Sequence, residues 1–204
     1  MHISNDRYFD DRQRHDLALR MICHEARTCT IRWCTGLTDD RIRRLYQSYA
    51  TQRPTVRVRR RRGKSPRQIA FFTRNAQVQF EASLLVAVFT SLGLIDTHAG
   101  KQDLVGLGER FCDAFETYAQ LVPDSALSFE HGWFLLQLLL RKNGVLLLRC
   151  RQCTGHFVYD RSNVMRRPCP ACQLKHGPLR AAGRRRRAPT KRRSSLTPLQ
   201  EIRV

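Results

Sequence analysis

The chain has 204 residues, 37 of them Lys or Arg against 17 Asp or Glu, for a formal charge of +20. That length allows one sizeable domain and a smaller module, and a surface of this sign calls for a polyanionic partner, nucleic acid ahead of an anionic membrane. The opening "MHISNDRYFDDRQRHDLALR" lacks the apolar core of a signal peptide, and the longest apolar runs, from Ser83 and Trp133, are too short to span a bilayer; a cytoplasmic protein with no membrane contact is expected.

In chain order, Leu17, Met21, Ile22, Ala26 and Ile31 recur at a helical spacing from Asp16 to about Cys34. A second helical pattern follows "TGLTDD", with Ile42, Leu45, Tyr46 and Tyr49 on one side and arginines on the other. Residues 1–56 therefore read as N-terminal helices meeting at a tight turn. Residues 57–68 hold seven cationic side chains between Arg57 and Arg67 with no acid, which predicts a basic linker or mobile arm. Residues 69–144 read as a helical core. Ala76 to Ile95 is apolar around most of its circumference and predicts a buried helix. Leu104, Leu107, Phe111, Phe115, Tyr118 and Val122 form the stripe of an amphipathic helix, with Glu109, Asp113 and Glu116 on its other face and Pro123 at its end. A third helix starts at the N-cap Ser128 and runs to about Arg141, where Asn143-Gly144 stops it. "VLLLRC" and "HFVYD" read as short strands in a module over residues 145–175, and residues 176–204 as a basic, disordered tail. The expected fold class is mainly α: a helical domain with a helix-turn-helix-like segment, plus a small C-terminal four-cysteine zinc module with short strands.

Eight cysteines in a reducing compartment are thiols or metal ligands before they are disulfides. Cys150-x2-Cys153 and Cys169-x2-Cys172, fifteen residues apart, have the spacing of a structural zinc site. Two residues between ligands let the backbone fold into a knuckle that aims both sulfurs at one ion, and two knuckles complete a tetrahedron. One Zn²⁺ per chain is expected, structural because four cysteines close its shell. Arg149, Arg151, Arg166 and Arg167 are close enough in sequence to offset the net negative charge of a four-thiolate site. Two other readings stay open: a redox pair, which more often opens a helix within a βαβ unit, and four unrelated buried thiols. Cys23, Cys29, Cys34 and Cys112 lack such spacing and read as core residues or exposed thiols.

"IRWCTGLTDDRIRRLY", Ile31 to Tyr46, has the layout of a helix-turn-helix. Gly36 supplies the left-handed turn, Thr38 or Asp39 caps the second helix, and Ile42 and Leu45 pack it on the first. Arg41, Arg43, Arg44 and Gln47 are then left to face DNA phosphates or base edges. Arg32 occupies a position usually small in such motifs, two aspartates repel phosphate, and similar helix pairs occur in proteins that never touch DNA. The runs Arg59, Arg60, Arg61, Arg62 and Arg184, Arg185, Arg186, Arg187 lack compensating acids and suit sequence-independent phosphate contact.

Taken together, "LTDDRIRRLYQSY", "GKSPRQIAFFTRNAQVQFEAS", Tyr118 before the Pro123 ending, "GWFLL" and the cysteine quartet resemble, in the same order, the flagellar transcriptional activator subunit FlhC family, over roughly Leu17 to Cys172. The resemblance implies a largely helical DNA-binding protein with zinc on Cys150, Cys153, Cys169 and Cys172. It also implies assembly with the helical subunit FlhD, activation of flagellar promoters through RNA polymerase, and no catalytic residues. Two other functions compete. A zinc-ribbon protein associated with RNA or the ribosome would suit the arginines, but aromatics are 8% of residues and lie mostly at helix-core positions, not on a stacking platform. A thiol–disulfide redox protein would use the same cysteines.

Overall fold

A computed structural model of the chain describes residues 3–52, 58–61, 63, 66–95, 103–163 and 169–176. Among them seven helices and one two-stranded sheet follow in the order α1 (Ile3–Cys23), α2 (Thr28–Thr35), α3 (Asp39–Gln52), a 3₁₀ turn (Ile69–Thr73), α4 (Ala76–Ser91), α5 (Leu104–Leu121), α6 (Phe129–Leu140), β1 (Val145–Arg149), β2 (His156–Asp160) and α7 (Pro170–His176). The fold is mainly helical, as expected.

The helical spacing that runs from Asp16 to Cys34 is divided between two helices. After α1 the chain reverses at Glu25, which takes a left-handed φ of 56°, while the amide of Ala26 bonds to the Met21 carbonyl at 3.0 Å. Leu17, Met21, Ile22, Ala26 and Ile31 all enter one core, so the spacing continues although the helix does not. α1 also begins earlier than its apolar pattern. Tyr8 and Phe9, ahead of that pattern, are 69% and 63% exposed, and this part is helical as an extension of the packed half.

α4 is the central element, packed against α5, α6, α7, β2 and the 3₁₀ turn. Asn75 caps it by accepting the Val78 amide at 2.8 Å, and Gly93, at φ 65°, turns the chain out of it. Its two buried polar residues have partners. Gln79 donates to the Val158 carbonyl at 2.8 Å, and Glu81 accepts from Gln77, Ser125 and the Ala126 amide at 2.8–3.0 Å.

The acidic face of α5 is turned towards α1. Arg20 donates to Glu116 at 2.7 and 2.9 Å and to Asp113 at 2.5 Å, and His24 meets Glu116 at 2.8 Å. The Arg20 guanidinium, with burial opposing it, holds the Glu116 carboxyl down at about 2. Gly108 allows this crossing, since a Cβ there would lie 2.8 Å from Leu17 Cδ2 and 3.1 Å from Cys34 Cβ. On α6, Ser128 forms a capping box with His131. Phe111, Phe115, Phe129 and Trp133 then fill the space between α5 and α6 in edge-on contacts.

Both expected strands form. β1 and β2 pair antiparallel from Val145↔Asp160 to Arg149↔His156. Val145 and Val158 belong to the main core, and the Val158 amide donates to Ser83 Oγ at 3.0 Å, so the cysteine module is joined to α4 by packing and by hydrogen bonds. α7 was not legible in the sequence, being seven residues long. No described helix is long and apolar enough to cross a membrane.

Candidate metal centre and basic surface

The β1–β2 hairpin ends in the loop that carries Cys150 and Cys153. Cys150 N–H donates to the Gly155 carbonyl at 2.9 Å, Thr154 takes a left-handed φ of 57°, and the Gln152 amide points at Cys150 Sγ from 3.3 Å. This is the knuckle that the Cys-x2-Cys spacing predicts. Cys169 immediately precedes α7 and Cys172 lies in its first turn. Phe157 and Tyr159 of β2 pack against both, with Leu148 and Ala171 alongside.

The four sulfurs all lie within 4.8 Å of one another. Cys150 Sγ is 3.9 Å from Cys172 Sγ, and Cys153 Sγ is 3.7 Å from Cys169 Sγ. A tetrahedron with metal–sulfur arms of about 2.3 Å has edges of about 3.8 Å, whereas a disulfide brings sulfurs to about 2.05 Å. The donor set therefore fits one tetrahedral ion, and four soft thiolates select zinc or iron over hard cations. The amides of Cys153 and Gln152 favour the Cys150 thiolate and bring it down to about 7. Burial, with the neighbouring thiols adding to it, pushes Cys172 up to about 12 and raises Cys169, as expected for four thiols crowded around a centre made for a cation. Of the arginines near the quartet, Arg149 donates to the Thr154 carbonyl at 3.4 Å and Arg151 is exposed; Arg166 and Arg167 lie outside the described residues. The remaining cysteines behave as expected. Cys34 and Cys112 are buried in the core, Cys23 and Cys29 exposed, and burial pushes Cys112 up to about 12.

The helix pair also forms. α2 ends at Gly36 with φ 69°, whose amide bonds to the Arg32 carbonyl. Thr38 accepts the Arg41 amide at 3.4 Å at the start of α3. Ile42 is fully buried and Leu45 packs against the core. Arg32 is accommodated because Thr30, Ile31, Cys34 and Thr35 are the buried residues of α2, while Arg32 faces outward and pairs with Asp39 at 3.3 Å.

Arg41, Arg43, Arg44 and Gln47 all lie exposed on α3. Arg41 pairs with Asp11 at 3.4 Å and Arg43 with Asp40 at 2.8 Å. The basic segment departs from a free arm. Val58 packs on the core, and Arg59 N–H and the Arg61 guanidinium both donate to Glu25, at 3.2 and 3.0 Å. Arg60 donates to Thr28 Oγ1 at 3.2 Å and covers the Tyr46 ring at 5.9 Å. Arg62 and Arg184, Arg185, Arg186 and Arg187 lie outside the described residues.

Three cavities of about 550, 340 and 480 Å³ adjoin along α2. Their arginines include Arg27 and Arg141, which sequence reasoning passed over because they lie outside any basic run, together with Arg32, read there only as a departure from the helix-turn-helix pattern, and Arg67, the last cation of the basic segment. Only the folded arrangement brings the four to one side.

In comparisons with known proteins, the family model described as flagellar transcriptional activator (FlhC) matches residues 4–188, and no curated protein matches the chain.

Proposed function

The chain belongs to the flagellar transcriptional activator (FlhC) family, a family of transcription factors and not of enzymes, and on that premise we propose that it is a cytoplasmic, DNA-binding activator subunit carrying one structural Zn²⁺. The observation that carries the metal assignment is the sulfur quartet, whose closest pairs lie 3.7 and 3.9 Å apart. Cys150, Cys153, Cys169 and Cys172 would hold the ion. With four thiolates its shell is closed, so it supplies cross-linking of the hairpin to α7 and no Lewis-acid chemistry.

Duplex DNA as the partner is supported by the formal charge of +20 and by the α2–Gly36–α3 geometry. In this reading Arg41, Arg43, Arg44 and Gln47 face base edges or phosphates. Arg59, Arg60, Arg61 and Arg62, with Arg184, Arg185, Arg186 and Arg187, add affinity by releasing counterions. The chain acts in a hetero-oligomer with an FlhD-like subunit and delivers RNA polymerase to flagellar promoters.

The test is co-expression with an FlhD-like subunit, purification under excess thiol, metal analysis and footprinting on a flagellar promoter. One zinc per chain together with a protected promoter segment is the expected result. A metal-free protein whose Cys150–Cys153 pair cycles between dithiol and disulfide would make it a redox protein instead.

A further inference from the structure

We infer that duplex DNA is gripped by its phosphates along α2, in a track formed by Arg27, Arg32, Arg60, Arg61, Arg67 and Arg141, and that the outer face of α3 contributes little of that electrostatic hold. This rests on the DNA-binding reading above and adds where the polyanion lies.

The three cavities share walls. The first is lined by Glu25 and arginines that include Arg27, Arg60 and Arg61; the second has the same three and adds Cys29, Arg32 and Asp39; the third takes over Cys29 and Arg32 and continues past Trp33 to Arg67 and Arg141. The result is one continuous depression following α2. Eight helical residues extend about 12 Å at 1.5 Å each. Over that length one strand of B-DNA presents three or four phosphates, at about 3.4 Å of axis apiece.

Three carboxylates face the track, and each is already engaged. Glu25 takes Arg61 and the Arg59 amide, Asp39 takes Arg32, and Glu130 takes the Arg27 amide and Thr30 Oγ1. They orient arginines without neutralising the set. A guanidinium has five N–H donors, and those of the track use few of them internally. Arg27 donates to the Gly63 carbonyl and Arg60 to Thr28. Arg27 Nε is the one buried side-chain nitrogen or oxygen without a hydrogen-bond partner among the described residues, with Glu130 Oε2 as its ion-pair partner at 4.0 Å, whereas neither Arg67 nor Arg141 has an ion-pair partner among them. Trp33, 37% exposed in the middle of the track and braced edge-on by Trp133 at 5.2 Å, offers a rigid apolar contact to the sugar edge. On α3, by contrast, Arg41 and Arg43 are tied to Asp11 and Asp40, and Asp39 and Asp40 occupy its first turn, where they repel phosphate.

The experiment is fluorescence anisotropy of the zinc-loaded full chain, with its co-purified partner subunit, on promoter and random duplexes across a salt series. Two triple variants are compared: Arg32→Gln/Arg67→Gln/Arg141→Gln, all three positions exposed, and Arg41→Gln/Arg43→Gln/Arg44→Gln. At about 0.9 per phosphate contact, the first should flatten log K against log salt by about 2–3 units on both duplexes, and lysines at the same positions should restore most of it. The second should change the slope by less than about 1 while narrowing the gap between promoter and random DNA. Should the α2 variant keep the wild-type slope at an unchanged melting temperature, or should the α3 variant be the one that loses it, the track is refuted while the DNA-binding reading stands. A wild-type complex that binds no duplex refutes both, and one that binds single-stranded RNA more tightly through the same arginines refutes the duplex as occupant.

Discussion

Glu130 of α6 reaches across the core to the start of α2, where its Oε1 accepts the backbone N–H of Arg27 at 2.7 Å and its Oε2 accepts Thr30 Oγ1 at 3.0 Å. The side chain of Arg27, the N-cap of α2, makes no capping bond, so a carboxylate 103 residues away in sequence takes the place of a local cap. Burial raises the Glu130 carboxyl above its ordinary range, and these two donors hold it back.

Glu130→Ala should therefore leave a buried amide and a buried hydroxyl unpaired and cost about 1–3 kcal/mol for each group that finds no water. Urea denaturation measures the loss. Hydrogen exchange should place the added opening in α2 first, and if α2 stays protected while another element opens, the anchoring role is wrong.

The sulfur quartet predicts a local collapse. Cys150→Ser or Cys169→Ser should reduce bound metal below one per chain and open residues 145–176 to proteolysis, while most of the helical signal remains. Apparent zinc-binding free energies of about 10–16 kcal/mol are typical where binding and folding are one event. A quadruple Cys→Ser variant that stays protected in this segment and binds its promoter normally would remove the structural role.

Acid should loosen the α1–α5 contact. The folded value of Glu116, about 2, lies below its ordinary 4.5, so its stabilisation is complete above about 4.5 and is lost as pH falls towards 2. Glu130, raised by burial, works in the opposite direction, its protonation favouring the fold. Between pH 5 and 2 the denaturation midpoint of Glu116→Gln should start lower and decline less steeply than that of the wild type. Parallel curves would mean that the Arg20–Glu116 pair is not what acid breaks.

Gly108→Ala should destabilise by about 1–3 kcal/mol through overpacking, against a gain of at most about 1 kcal/mol in helix propensity. The new Cβ meets the movable end of Leu17 at 2.8 Å, but also the firmer Cβ of Cys34 at 3.1 Å. A thermal melt decides the sign, and a rise in Tm would show that α1 and α2 give way easily.

Local patterns were sufficient for the parts of this protein that are themselves local. The Cys-x2-Cys pairs, the Ser128 cap, the Gly36 turn and the two strands each rest on residues a few positions apart, where backbone geometry alone restricts the outcome. The division of the first helical pattern at Glu25 was hidden, because α1 and α2 bury residues in one core and the spacing of buried positions runs on through the break. The acidic stripe of α5 looked like a solvent face, since its partners Gln13, Arg20 and His24 lie more than 90 residues earlier. The arginines after Arg57 resembled a free arm until Glu25, Thr28 and Tyr46 were placed beside them. What the sequence determined by itself was the fold class, the four-cysteine cluster and the sign of the chain's own net charge. Which side of the helix pair carries the free positive charge was decided by tertiary structure, because a cation's availability depends on the carboxylates that long-range packing brings within about 4 Å of it.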